Sequence, residues 1–224
     1  MKITLQMVAY TVLSIAFFGV LLFWPAGTFH YWQAWVFIAV FVVTAMVPTI
    51  YLAVAQPDAF RRRTRPGPFA ETRTVQKVLY VGIFASVVAV AVLSALDHRF
   101  GWSTVPTALV VLANALVAIG LAIAEIVVIQ NNYAGSTITV DAGQTVVSTG
   151  MYGIVRHPMY VGALIMAIGM PLALASYWGL IFVLPCAASF VARILDEERF
   201  LRTELAGYDE YTDKVRYRLV PGVW

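Results

Sequence analysis

The sequence predicts an all-α, polytopic membrane protein: a bundle of about six transmembrane helices with cytoplasmic loops and a C-terminal helix. Three observations carry this. Of the 224 residues, 61% are hydrophobic and only 12% charged, against roughly half and a quarter in an ordinary soluble domain. The mean hydropathy is +0.80. The apolar residues also fall in long unbroken runs, which suits lipid-embedded helices and not the alternating strands of a membrane barrel.

The first run, Leu5 to Trp24, carries no charge and is close to the roughly 20 residues a helix needs to cross the hydrocarbon. It is too long for a signal-peptide core and lacks a small-residue cleavage site. Pro25, Gly27 and the aromatic group Phe29, Tyr31, Trp32 and Trp35 predict a turn at interfacial depth. A second span then reaches to about Ala55.

The polar segment Gln56 to Lys77 holds Arg61, Arg62, Arg63, Arg65, Arg73 and Lys77 against Asp58 and Glu71, with a turn at Pro66-Gly67-Pro68. By the positive-inside rule this loop is cytoplasmic. A third span, about Val78 to Leu96, leads through Asp97-His98-Arg99 to a fourth, about Val105 to Ile129. Glu125 sits a turn from the end of that span, near enough to reach the interface.

Gln130 to Arg156 is a polar connection containing Thr137-Ile138-Thr139-Val140 and Gln144-Thr145-Val146-Val147, which alternate like short strands. It exceeds the usual loop length of up to about 15 residues and is expected to be ordered against something. Two further spans, about Met159 to Ala175 and Trp178 to Ile194, meet at Ser176-Tyr177 and precede a charged tail. Six spans put both termini, the Arg-rich loop, the long connection and the tail on one face, as in a prokaryotic inner-membrane protein. Residues 1–129 read as a membrane region and 130–224 as the region carrying the chemistry.

Some classes are disfavoured at once. Cys186 is the lone cysteine, so no internal disulfide forms, and nothing suggests a metal. Basic residues flank apolar spans instead of forming an aromatic-interleaved polar surface, so no nucleic acid is expected as partner.

Three clusters could do chemistry. In Arg156-His157-Pro158-Met159-Tyr160-Val161-Gly162, Pro158 suits the first turn of a helix and His157 the cap before it. Such a helix start favours an anionic group. Arg156 and His157 add donors, Tyr152 and Tyr160 aromatic surface, and Gly162 room for a ring. The plain alternative is a lipid-headgroup anchor. Next, Arg193 and Glu197 are four apart on a helix and share a face, with Glu198 about 100° further round. An acid pair suits a ligand cation, and an arginine can fork onto a carboxylate. Last, the aromatic and basic ending Tyr208 to Trp224 can lie on the interface and cover a cavity.

Taken in order, Gly150 and Tyr152, Arg156-His157-Pro158 with Tyr160 and Gly162, a helical hairpin, Arg193-Ile194 with Glu197-Glu198 and Leu201, and Gly207 with Tyr211 resemble the isoprenylcysteine carboxyl methyltransferase family and the related phospholipid methyltransferases. The resemblance covers about Gln130 to Trp224. It implies S-adenosylmethionine bound without a Rossmann domain and a lipophilic acceptor, prenylated or otherwise, drawn from among membrane lipids. It assigns cofactor contacts to Gln130, Gln144, Thr145, Val146, Val147, Tyr152, His157, Pro158, Met159 and Tyr160. Glu197, with Glu198 beside it, would hold the cofactor's amino-acid or ribose part, and Arg193 would orient an acceptor carboxylate. The hairpin tip has Ser176-Tyr177 where the family often has Asn-Pro. Carboxyl O-methylation is the reaction this favours; lipid N-methylation is the rival within catalysis, and a transporter or scaffold the rival outside it.

Overall fold

The computed structural model describes residues 2–55, 73–131, 133–134, 138–140 and 143–224, with side chains from residue 8 onward. The Arg61–Arg65 cluster, the Pro66-Gly67-Pro68 turn and Thr137 lie outside the described residues.

Four long helices come first: α1 (Lys2–Ala26), α2 (Trp32–Ala55), α3 (Thr74–Phe100) and α4 (Thr107–Gln130). A 3-10 turn at Gly150–Gly153 precedes α5 (Pro158–Ala173), and a second at Trp178–Phe182 runs into α6 (Val183–Glu204). A short α7 (Tyr208–Lys214) follows. At about 1.5 Å per residue the long helices exceed the roughly 30 Å of a bilayer core, and five segments are long and apolar enough to span it. The chain is an integral membrane protein by this measure. The sixth expected span is the exception: α5 has 16 residues, about 24 Å of helix.

Several expected boundaries shift. Asp97-His98-Arg99 is the last turn of α3, not a link. The helix stops where Gly101 turns left-handed at φ 65° and its N–H closes onto the Asp97 carbonyl at 2.8 Å, a conformation glycine adopts without steric cost. Helix α6 runs ten residues past the expected end at Ile194, to Glu204, so Arg193, Glu197 and Glu198 ride on one rigid element. No strand forms among the described residues of the 138–147 segment. Its Val140 and Val146 instead pack against Leu205, Tyr208, Tyr211 and Val215, which buries β-branched side chains without a ladder.

Phe18, Leu22, Phe37, Ala91, Ala95, Val117 and Leu174 form the main core where α1 to α5 meet. Helices α4 and α5 touch backbone to backbone. A Cβ on Gly120 would lie 2.5 Å from the Gly162 carbonyl oxygen, and one on Gly162 equally close to that of Gly120. Small residues permit such approach in membrane helices. Gly162 therefore serves helix packing, and does not provide the ligand space that the sequence had suggested. Glu125 is buried within the bundle, at 2% exposure.

At the end of the bundle away from the 3-10 turn Gly150–Gly153, Asp97 accepts hydrogen bonds from the Ser103 amide (2.7 Å), the Ser103 hydroxyl (2.6 Å) and the Ser176 hydroxyl (2.5 Å). Tyr31, expected in the interfacial turn, is fully buried instead: its hydroxyl donates to the Leu174 carbonyl at 2.6 Å and its ring stacks on His98. These contacts lock the two hairpins together and fix the relative height of α3, α5 and α6.

Candidate active site

The site begins where the long connection re-enters the bundle. Gly150 adopts φ +61°, and a Cβ there would lie 2.6 Å from Gln130 Oε1; the same oxygen accepts the Met151 N–H at 3.1 Å. Glycine is needed here for both the left-handed conformation and the close approach. The turn aims Tyr152 into a cleft, where its hydroxyl meets the Asn131 side chain.

Pro158 opens α5 as the sequence predicts, with His157 in the cap position at φ −125° and no side-chain cap bond. The backbone leading into it is held by the C-terminal segment: the Arg156 N–H donates to the Tyr217 carbonyl (2.9 Å) and the His157 N–H to that of Arg218 (3.0 Å). Arg156 Nη1 also donates to the carbonyls of Val215 and Arg216, both at 2.9 Å. The tail thus lies over the start of α5 and brings Tyr208 and Tyr211 to the cleft. The Tyr211 hydroxyl donates to the Tyr152 carbonyl at 2.8 Å.

Behind this wall is a charged hub. Glu198, 3% exposed, accepts from Arg156 Nε at 2.7 Å and from Arg218 Nε at 2.9 Å, and lies 3.1 Å from His157 Nε2. A buried carboxylate is tolerated only when paired in this way. Glu197, the neighbouring residue, faces the cleft instead, where its Oε2 accepts the Tyr160 hydroxyl at 2.7 Å. Arg193 Nε donates to the same Tyr160 oxygen at 3.0 Å. With that oxygen accepting from a guanidinium, its one proton is committed to Glu197.

Gln144, Thr145, Val146, Val147, Tyr152, His157, Pro158, Met159, Tyr160 and Glu197 all border the one cleft. Gln130, Arg193 and Glu198 do not: Gln130 holds the Gly150 turn, Arg193 braces Tyr160, and Glu198 anchors the tail. Arg156 touches the cleft, but Glu198 and two carbonyls occupy its guanidinium.

Asn131, Tyr133, Tyr208 and Tyr211 also line the cleft; the sequence marked Tyr208 and Tyr211 only as part of a segment able to cover a cavity and assigned none of the four a cofactor contact. Tyr208 and Tyr211 carried a legible signal, being three apart and so on one face of α7. Burial, more than the Asn131 hydrogen bond opposes, raises the Tyr152 phenol to about 12, with the Glu197 carboxylate adding to the shift. Burial likewise pushes the phenols of Tyr208 and Tyr211 well above the ordinary value. Among the described residues the cleft is thus walled by phenol rings and one carboxylate, with the basic side chains Arg156 and His157 turned toward Glu198. Aromatic faces and an acid together favour a ligand carrying positive charge.

The chain is similar to several known proteins. Residues 108–206 match the phospholipid methyltransferase family. A stretch of 91 residues is 35% identical to the Delta(14)-sterol reductase TM7SF2 of Mus musculus, covering 39% of this chain and only 22% of that protein. The solved structure of the eukaryotic intramembrane Ras methyltransferase ICMT (isoprenylcysteine carboxyl methyltransferase) superposes with a TM-score of 0.52 at 19% identity, over 94% of this chain and 75% of that one. The chain is thus similar to the phospholipid methyltransferase family over residues 108–206, and over nearly its whole length it shares the fold of the isoprenylcysteine carboxyl methyltransferase structure.

Proposed function

We propose that the protein is an S-adenosylmethionine-dependent methyltransferase acting on a lipophilic acceptor, with carboxyl O-methylation of an isoprenylcysteine-like substrate as its reaction. The supporting observation is the cleft wall: Tyr152, Tyr160, Tyr208 and Tyr211 surround Glu197 at the end of the bundle where apolar helices give way to the polar tail. This donor set fits S-adenosylmethionine, a sulfonium cation joined to an adenosine and an amino acid. Ring faces and the Glu197 carboxylate suit the positive charge, and the acceptors along Gln144 to Val147 suit a nucleoside. When bound, S-adenosylmethionine supplies an electrophilic methyl group.

The chain's own part is alignment and exclusion of water. Tyr160, held between Arg193 and Glu197, fixes the carboxylate on one side of the cleft. The tail, clamped by Arg156 and Glu198, closes the other. A carboxylate acceptor needs no base, because it loses no proton in becoming an ester. Arg193, which stands behind Tyr160, acts on the acceptor in this reading through the tyrosine that it braces. In this reading residues 130–224 carry the chemistry, residues 1–129 embed it in a prokaryotic inner membrane, and both termini face the cytoplasm.

A second reading has one observation in its favour, the 35% identity to a sterol reductase. A reductase needs a hydride donor, and dinucleotide donors carry phosphates that call for free cations. Among the described residues the basic side chains at this cleft, Arg156 and His157, face Glu198, which favours the methyl-transfer reading.

The test is incubation of the purified protein in lipid nanodiscs with methyl-labelled S-adenosylmethionine and either N-acetyl-S-farnesylcysteine or phosphatidylethanolamine. Label released by mild alkali from the farnesylcysteine product is the expected result. Alkali-stable label on phosphatidylethanolamine would instead assign N-methylation. Label in neither, with reduction of a sterol double bond by a nicotinamide dinucleotide, would establish the reductase.

A further inference from the structure

Gln76 lies in the first turn of α3, outside the region matched by the methyltransferase family, yet it is completely buried between two charged residues of α6. Its Oε1 accepts from Arg193 Nη1 at 2.7 Å. Its Nε2 donates to Asp196 Oδ2 and reaches the Arg193 carbonyl at 3.5 Å. Asp196 Oδ1 in turn accepts from Arg73 Nη2 at 2.8 Å. Arg193 and Asp196 are themselves 5% and 8% exposed.

Arg193 and Asp196 stand three residues apart on one helix, a spacing at which an arginine and an aspartate pair directly. They do not pair in this structure. The amide of Gln76 sits between them, accepting from one and donating to the other, so each buried charge is satisfied without the other. A leucine of similar size would leave Asp196 Oδ2 and Arg193 Nη1 without this amide, and although Arg73 still pairs with Asp196 Oδ1, the nearest replacement partner for Arg193 is Asp196 on its own helix. Turning onto Asp196 withdraws Nε from the Tyr160 hydroxyl and frees the Tyr160 proton from its commitment to Glu197.

We propose that Gln76 is a positioning residue of the active site: an amide spacer that keeps Arg193 on Tyr160 by keeping it off Asp196. It touches neither the cleft nor any reacting atom, and acts through Arg193. The inference rests on the methyl-transfer reading and extends the site to a helix of the N-terminal region.

The distinguishing experiment compares Gln76→Leu with the double variant Gln76→Glu/Asp196→Asn. The double variant preserves the net charge and the spacer: residue 76 accepts from Arg193 as before, and residue 196 becomes a donor to it and no longer an ionic rival for Arg193. With N-acetyl-S-farnesylcysteine and labelled S-adenosylmethionine in nanodiscs, Gln76→Leu should keep cofactor affinity within a few-fold while kcat falls on the order of 10- to 100-fold, the scale of a misplaced catalytic geometry. The double variant should recover most of that loss. Unchanged kcat in Gln76→Leu overturns the proposal. So does loss of both cofactor binding and turnover in Gln76→Leu with no recovery in the double variant, since Gln76 would then only support folding. Wild-type protein that fails to bind S-adenosylmethionine at all overturns the methyl-transfer reading, and this inference with it.

Discussion

Tyr160 donates its hydroxyl to Glu197 Oε2 at 2.7 Å, joining the first turn of α5 to the C-terminal half of α6. Because the Tyr160 oxygen also accepts from Arg193, it fixes two side chains at once. Tyr160→Phe should therefore lower turnover about 10- to 100-fold, with a smaller loss of cofactor affinity. Steady-state kinetics beside calorimetric titration would show whether the two effects separate in this order.

Arg193 and Glu197 should fail differently. Glu197 faces the cleft, so Glu197→Ala should lose cofactor binding. Arg193 stands behind Tyr160, so Arg193→Ala should retain binding and lose transfer. Intact turnover in both variants would refute the assigned site.

Glu198 is the anchor of the tail and not a pocket residue. Removing its charge leaves Arg156 and Arg218 without their buried counter-ion, and breaking such a pair costs about 3–5 kcal/mol. Glu198→Gln should lower the melting temperature in detergent markedly, even before ligand is added. A change of less than a degree would show that the tail is held by its backbone bonds alone.

The packing of α4 on α5 offers an independent check. Gly120→Ala would place a Cβ 2.5 Å from the Gly162 carbonyl oxygen, and overpacking of this kind costs about 1–3 kcal/mol. Since α5 carries Pro158 and Tyr160 into the site, activity should fall along with stability. Gly19→Ala, where no atom lies within 4 Å, should be silent by comparison.

The phenols at the cleft set an alkaline limit. Tyr152 is raised from 10.0 to about 12, and Tyr208 and Tyr211 are raised further in the same direction. A phenol whose folded value exceeds its unfolded value contributes stability that is complete below pH 10. That contribution is lost as pH climbs toward the folded value. Melting temperature should therefore fall between pH 10 and about 12, and Tyr152→Phe should flatten part of the fall. Ultraviolet absorbance of tyrosinate, recorded alongside, should rise at a higher pH in the folded than in the unfolded protein.

Much of this was legible in the sequence because bilayer length and positional chemistry act locally. The apolar runs gave the first four helices within a few residues, and Pro158 marked the start of α5, while α6 runs on past its apolar stretch. What escaped notice depends on contacts distant in sequence. Gln76 reads as one more polar residue in a basic segment, and only the fold sets it between Arg193 and Asp196. Glu197 and Glu198 look equivalent on the page; the roughly 100° step of a helix turns one to the cleft and the other to the buried arginines. Gly162 illustrates the opposite error, since a glycine beside a site suggests room for a ligand but here admits a neighbouring helix.

The most direct measurement is isothermal titration of the nanodisc-embedded protein with S-adenosylmethionine and, separately, with a reduced nicotinamide dinucleotide phosphate. Wild-type protein should bind the sulfonium cofactor saturably and the dinucleotide not at all, and Glu197→Ala should weaken the sulfonium cofactor at least 10-fold, about 1.4 kcal/mol. Folded wild-type protein that ignores S-adenosylmethionine yet binds the dinucleotide would contradict the assignment of this aromatic, carboxylate-bearing cleft to methyl transfer.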